Sequence, residues 1–323
     1  TESKNRVATT RRANASAQQS KSRVQLGTPT QLPGLDTSPL KSESRPPQPL
    51  GDQPITTASP SVFAQRLTPI DEGRTTTAGI RKLEGKHLTL YTDLPSAPEI
   101  DELPTVFDLA VEPWCEYFRV NPKSVESWKM RGFLMDRRGR FEAIGLLPEN
   151  LPQFLNGYAL GGELWINEQP SDYYRRHLLL HEGTHAFMQT YLHGMGPPWY
   201  AEGIAELMGT HRWEDGKLQM RFFPQSREDV PQLGRIKIVQ SEYEAGRAMS
   251  IEQITDYGPT AHLRNEPYGW CWAATALLDG HPQFAERFRR LPRRVDDSPQ
   301  EFSRLFRTQF RVDQRQLVEQ WQL

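Results

Sequence analysis

The aromatic side chains of this 323-residue chain are confined to one part of it. Of 8 Trp, 10 Tyr and 14 Phe residues, only Phe63 precedes Tyr91. Residues 1–75 instead carry nine prolines, many Ser, Thr and Gln, and ten basic against six acidic side chains. Such a segment cannot bury enough apolar surface to offset its chain entropy. We therefore predict a disordered polar linker or leader over residues 1–80 and a folded domain over residues 81–323.

The charge of the chain excludes some partners. It carries 39 Lys and Arg against 40 Asp and Glu. Eight of the basic and three of the acidic residues lie in residues 1–50, so residues 51–323 have a net charge of −6. Such a balance gives no reason to expect nucleic acid as a partner. No run approaches the roughly 18 apolar residues of a membrane span, so no transmembrane segment is expected. A start at Thr1 without Met or an apolar signal core favours an exported protein, which is periplasmic, at the cell surface or secreted.

The order of the predicted elements is that of an α+β fold. Period-two alternation predicts strands at 87–92 and 128–135, and apolar residues at helical spacing predict a helix over 103–117. Further predictions are a short helix at 141–147, one strand within 157–167, a long helix from the N-cap Ser171 to a stop at Gly194, a helix from near Trp199, and helices near 235–246, 267–279, 298–309 and 313–322. A mixed sheet with helices over 81–195 is thus followed by a mainly helical half over 196–323.

One motif carries the chemistry. Residues 178–188 read Leu-Leu-Leu-His-Glu-Gly-Thr-His-Ala-Phe-Met. His181 and His185 are four residues apart, so on a helix their imidazoles share one face and can chelate a single metal ion. Glu182 is rotated to the side, where its carboxylate can reach a water on that ion. The alternative is two partly buried helix histidines beside a surface glutamate.

A catalytic zinc site uses three protein ligands and one open position, so a third ligand is needed. A metzincin would have Gly at 188 and His at 191, but the sequence has Met188 and Tyr191. The better candidate is Glu202, within the sequence Pro-Pro-Trp-Tyr-Ala-Glu-Gly-Ile-Ala-Glu at 197–206, where a second helix folds back against the first. Glu206 lies one turn later on the same face and can orient one of the histidines from behind. The alternative for Glu202 is an exposed helical carboxylate.

The sequence His-Glu-Gly-Thr-His followed by Trp-Tyr-Ala-Glu-Gly-Ile-Ala-Glu resembles the gluzincin zinc peptidases, the group that contains thermolysin and the zinc aminopeptidases. The order of elements over roughly residues 85–290 is similar to that of the peptidase-MA-like domains of largely uncharacterised bacterial proteins. The resemblance implies a zincin-like fold, one catalytic Zn²⁺ and a peptide or protein substrate. It implies that His181, His185 and Glu202 are the zinc ligands and that Glu182 is the general base. It also implies that Glu206 is the acid that orients a ligand histidine.

Peptide hydrolysis follows from this resemblance. Zinc would polarise the scissile carbonyl and activate a water, and Glu182 would take the proton of that water and pass it to the leaving amine. A further donor is needed for the oxyanion. Tyr268, at the start of a predicted helix, is the first candidate, and His262 in the preceding loop is the second.

Substrate binding leaves alternatives open. Residues 164–167 are either a sheet edge, where an extended peptide can add as another strand, or an ordinary interior strand. The aminopeptidase signature Gly-Ala-Met-Glu-Asn is replaced by Gly-Gly-Glu-Leu-Trp-Ile-Asn at 161–167, although Glu163 lies near its place. Endopeptidase and exopeptidase action therefore both stay open.

A second hypothesis belongs to a different class. It is a catalytically silent zincin-fold module that binds or scaffolds a partner and is tethered by the N-terminal tail. Retention of Glu182 favours the peptidase, because a binding module needs no general base. The sequence also leaves open whether Cys115 and Cys271 are two buried thiols or one disulfide.

Overall fold

The structure is a computed structural model that describes residues 67–149, 151–226, 228–230, 234–258, 260 and 264–322. Within these residues the chain has the mixed α+β architecture that the sequence predicts. A mixed sheet with its helices occupies the first half, and the second half is mainly helical. No helix in the described part of the chain is long and apolar enough to cross a membrane.

Five of the described strands form the sheet. They are β1 (Arg81–Glu84), β2 (Leu88–Thr92), β3 (Met130–Met135), β4 (Gly157–Leu160) and β5 (Glu163–Asn167). Their order across the sheet is β1-β2-β3-β5-β4, with β2, β3 and β5 parallel and the two outer strands antiparallel to their neighbours. The strands predicted at 87–92 and 128–135 are confirmed as β2 and β3.

Side chains alternate between the two faces of the sheet. On one face, Phe133 stacks with Tyr91 and with Trp165 across the three central strands, with ring centroids 5.8 Å apart in both pairs. On the other face, Leu90 and Leu164 join the main apolar core. The helix that carries the His-Glu-Gly-Thr-His motif packs in this main apolar core, so its position is set by the sheet.

The sequence predicts one strand within 157–167, but the structure has a hairpin of two strands there. Gly161, at φ +61°, adopts the left-handed backbone that favours glycine, and it turns the chain together with Gly162. Consequently β5 is an interior strand between β3 and β4. Of the two alternatives for residues 164–167, the interior strand is therefore the correct one, and β4 is the outer strand.

The described residues include a folded segment before the predicted domain boundary at residue 81. Residues 67–80 include the helix α1 (Glu72–Thr77), and they are anchored to the sheet at Thr68. Its backbone N–H and its hydroxyl donate to the buried carboxylate of Glu163 over 3.0 and 2.7 Å. The prediction of disorder therefore extends too far, because Ile80 is buried in the apolar cluster around Phe133 and Ile70 packs against that cluster. Residues 1–66 of the predicted leader lie outside the described residues.

The remaining α-helices include every predicted one, together with short helices at Pro98–Asp101, Ile251–Thr255 and Ala285–Phe288 that the sequence analysis does not predict. Those of the first half are α2 (Pro98–Asp101), α3 (Leu103–Phe118), α4 (Arg138–Ala143) and α5 (Asp172–Tyr191). The second half contains α6 (Pro198–Gly209), the hairpin of β6 (His211–Glu214) and β7 (Lys217–Met220), α7 (Arg235–Glu244), α8 (Ile251–Thr255), α9 (Glu266–Gly280), α10 (Ala285–Phe288), α11 (Pro299–Phe310) and α12 (Gln314–Gln322). The helix expected at 141–147 forms three residues earlier, as α4. The two cysteines, on α3 and α9, are buried free thiols.

Candidate metal centre

The helix α5 is fixed in place by its small residues. Gly183 lies so close to α3 that a Cβ at this position would be 2.7 Å from the ring of Trp114. One residue later, the hydroxyl of Thr184 accepts a hydrogen bond of 3.0 Å from the indole N–H of Trp114. These two residues of the motif therefore pack against α3. The opposite side of α5, which carries the two motif histidines, faces α6 and β4.

A close approach also fixes α6. A Cβ on Gly203 would lie 2.3 Å from the Thr275 side chain of α9, so only glycine permits this spacing. The hydroxyl of Thr275 donates to the carbonyl of Gly203 over 2.9 Å. Held between α9 and α5, α6 turns Glu202 toward the histidines of α5, as the sequence predicts.

The three predicted ligands meet at one point. Nε2 of His181 is 3.1 Å from Nε2 of His185 and 3.3 Å from Oε2 of Glu202. Nε2 of His185 is 3.6 Å from the same carboxylate oxygen. Zinc bonds of 2.0–2.1 Å in a tetrahedral site separate adjacent ligand atoms by roughly 3.3 Å. The three atoms therefore have the mutual spacing of three corners of a zinc tetrahedron.

The electrostatics of the cluster favour a cation. Burial opposes a charge on His181, yet the carboxylates of Glu202 and Glu206 raise the pKa of this imidazole to about 10. Burial also opposes the charge on Glu202, but the two histidines hold its pKa well below the usual range. Among the described residues, Oε2 of Glu202 and Nδ1 of His185 have no aligned hydrogen-bond partner. A cation between the two imidazoles and the carboxylate is therefore favourable, and this set of side chains fits a zinc ion.

Glu206 stands behind His181, where the sequence places it. Its side chain is fully buried, and Oε1 lies 3.3 Å from Nδ1 of His181. Its other oxygen lies 3.2 Å from Nε2 of His177, a fully buried residue one turn earlier on α5. The guanidinium of Arg235 donates to both oxygens of Glu206 over 2.7 Å each. Burial would raise the pKa of Glu206, but Arg235 and His177 hold it well below its ordinary value.

His177 and Arg235 are the residues that sequence analysis misses. His177 carries a signal, because it precedes His181 by four residues and so shares its face of the helix. Arg235 carries none, since nothing in the local sequence links the start of α7 to a glutamate 29 positions earlier.

Glu182, the expected general base, is buried beside the three predicted ligands and lies against the outer strand. A Cβ on Gly157 of β4 would be only 2.6 Å from its Oε1. Burial raises the pKa of Glu182, while the neighbouring His181 and His185 lower it less strongly. A carboxyl group with a raised pKa is suited to accepting and releasing a proton near neutral pH.

A cleft of about 710 Å³ opens over these residues. Its walls include Glu182 and both motif histidines, the segment before β4 with the exposed Leu155, and Tyr268 at the start of α9. The ring of Tyr268 is 6.1 Å from that of His181, and burial raises the pKa of its hydroxyl well above the usual value. The structure therefore brings this candidate donor to the site. The second candidate, His262, lies outside the described residues.

No protein-family model matches the sequence of this chain, and no curated protein has a matching sequence. Functional inference therefore rests on the geometry of the cluster itself.

Proposed function

We propose that this protein is a zinc-dependent peptidase of the gluzincin type. The observation that carries the proposal is the triangle of ligand atoms from His181, His185 and Glu202, with sides of 3.1, 3.3 and 3.6 Å, beside the carboxylate of Glu182 in an open cleft. The position of α5 beneath a mixed sheet, followed by a helical half, supports a zincin-like fold.

The donor set favours zinc over the hard cations. Ca²⁺ and Mg²⁺ prefer oxygen ligands, whereas imidazole nitrogens suit zinc. Two histidines and one glutamate are a ligand set of catalytic zinc sites, which keep a fourth position open. When bound, the ion supplies a Lewis acid that polarises a carbonyl and acidifies a water.

The residues of the chain supply the other parts of the reaction. Glu182 accepts a proton from the attacking water as the water oxygen bonds to the carbonyl carbon. It then donates that proton to the leaving nitrogen as the C–N bond breaks. Tyr268 contributes a hydroxyl group as a donor toward the carbonyl oxygen, where negative charge develops. Glu206 holds the ring of His181 with its Nε2 toward the ligand cluster.

The outer strand supports a peptide substrate. Among the described strands, β4 pairs only with β5, so its other edge is available to an extended peptide. Gly157 places the start of this edge against Glu182. A peptide that adds to β4 as another strand therefore runs past the general base, which favours peptides over small esters or amides.

The test combines metal analysis with hydrolysis of a broad peptide mixture, read by mass spectrometry. We expect about one zinc per chain, and cleavage that the Glu182→Gln variant loses while it retains zinc. The matched control is Glu142→Gln, because Glu142 lines the same cleft but pairs with Arg138 at 2.9 Å and is not a ligand. Stoichiometric zinc without turnover would contradict the proposal and favour a silent binding module. Cleavage by a zinc-free His181→Ala variant would contradict the site assignment.

A further inference from the structure

The structure carries a second cluster of metal-binding groups. Ligand atoms of His177, His181 and Glu206 all lie within 4.8 Å of one another, and all three residues are buried. The cluster shares His181 with the proposed zinc site but lies on the far side of its ring, toward the protein interior.

We do not assign a second metal ion to this cluster. Both oxygens of Glu206 already accept hydrogen bonds of 2.7 Å from Arg235, whose side chain is only 6% exposed. A bidentate guanidinium–carboxylate pair is among the strongest polar contacts and fixes the plane of the carboxylate. The guanidinium therefore takes the position beside Glu206 that a cation would occupy.

Arg235 reaches this place from the helical half. It is the first residue of α7, and its guanidinium also lies 5.1 Å from the ring centroid of Tyr268 on α9. One side chain thus contacts the carboxylate that orients His181 and the ring proposed as the oxyanion donor.

We propose that Arg235 is a positioning residue that sets zinc affinity through Glu206. Without Arg235, Glu206 is a buried carboxylate that has lost its cation, and its Oε1 is no longer held toward Nδ1 of His181. A buried carboxylate in that state turns away from His181, because an unpaired buried charge is strongly unfavourable. This inference rests on the zinc site of the proposed function, and it concerns the free energy of zinc binding rather than the chemical step.

A double-mutant cycle on zinc binding tests this coupling, with zinc itself as the probe. The dissociation constant is measured by chelator competition for the wild type, Arg235→Met, Glu206→Gln and the double variant. Partners behind a metal ligand typically contribute 10- to 100-fold to metal affinity. We expect each single variant to weaken binding within that range, and the double variant to bind zinc within about threefold of either single variant.

Two further variants separate positioning from folding. Arg235→Lys keeps the charge but cannot make two parallel hydrogen bonds, so we expect an affinity between those of wild type and Arg235→Met. The matched control is Arg175→Met, because Arg175 is a buried arginine of α5 that pairs with Glu168 and Asp172, and its loss should leave zinc affinity unchanged. It also shows whether losing a buried arginine alone disturbs the site.

The outcomes are distinct. Wild-type protein that binds no zinc overturns the proposed function and this inference together. Wild-type protein that binds zinc while Arg235→Met binds it equally well overturns this inference alone. Multiplicative effects of the two substitutions in the double variant also overturn it, because Arg235 would then act independently of Glu206.

Discussion

Gly157 offers a way to displace Glu182, the proposed general base, without substituting it. Alanine at this position would place its Cβ 2.6 Å from Oε1, 2.9 Å from Cγ and 3.0 Å from Cδ of Glu182. The carboxylate must retreat by about 0.4 to 0.8 Å to restore a separation of 3.0 to 3.4 Å. Misplacing a catalytic group by about 1 Å can slow a reaction roughly 100-fold. We therefore expect kcat/KM for peptide hydrolysis to fall by about 10- to 100-fold in Gly157→Ala.

The fold should tolerate this substitution. Gly157 is not among the residues with positive φ, so alanine introduces no backbone strain, and the group that must move is the end of a flexible side chain. Thermal stability and zinc content should match the wild type. The control is Gly139→Ala, because a Cβ there has nothing within 4 Å and should leave activity unchanged. Full activity in a correctly folded, zinc-loaded Gly157→Ala variant would refute the contact between β4 and Glu182.

Two more predictions concern the cleft and the stability of the fold. Leu155 lines the cleft and is 73% exposed. We expect Leu155→Lys to raise KM about tenfold for substrates with apolar side chains, because burying a leucine side chain contributes about 1.5–3 kcal/mol. Leu109→Lys, at a 41% exposed position of α3, is the control, and equal KM values for both variants would contradict a substrate contact at Leu155. Burial lowers the pKa of His211 to about 3. Below pH 6.5 the unfolded chain therefore binds a proton at His211 that the folded protein does not bind. The contribution of the neutral, buried His211 to the unfolding free energy is fully present above pH 6.5 and is lost as the pH falls below it. Between pH 7 and 5 the wild type should lose about 2 kcal/mol more unfolding free energy than His211→Asn in denaturant titrations, and equal losses would show that His211 is not buried in its neutral form.

The cluster of His181, His185 and Glu202 could be predicted because its geometry is local. His181 and His185 are one helical turn apart, and a short loop returns the chain to Glu202, so a regular helix and a tight turn suffice to bring three ligands together. The contacts of Gly183 and Thr184 with Trp114 of α3 could not be predicted, because they depend on tertiary packing.

Features that depend on distant pairings could not be predicted. The carboxylate of Glu163 is engaged by Thr68, which is 95 positions away, and this pairing also brings the end of the polar segment into the fold. The strand order that makes β4 the outer strand likewise follows from packing rather than from local pattern. One local signal was present and missed: Asp215 and Gly216 both have positive φ and form the turn between β6 and β7, as Asp-Gly pairs commonly do.

Titration of the metal-free protein with zinc, followed by peptide hydrolysis, tests the central claim most directly. If His181, His185 and Glu202 hold one catalytic ion, the hydrolysis rate should rise in proportion to added zinc and reach a plateau at one equivalent per chain. The Glu182→Gln variant should bind the same equivalent and remain inactive. Hydrolysis by the metal-free protein, or saturation with one zinc and no hydrolysis of any peptide in the mixture, would contradict the assignment of this cluster as a peptidase centre.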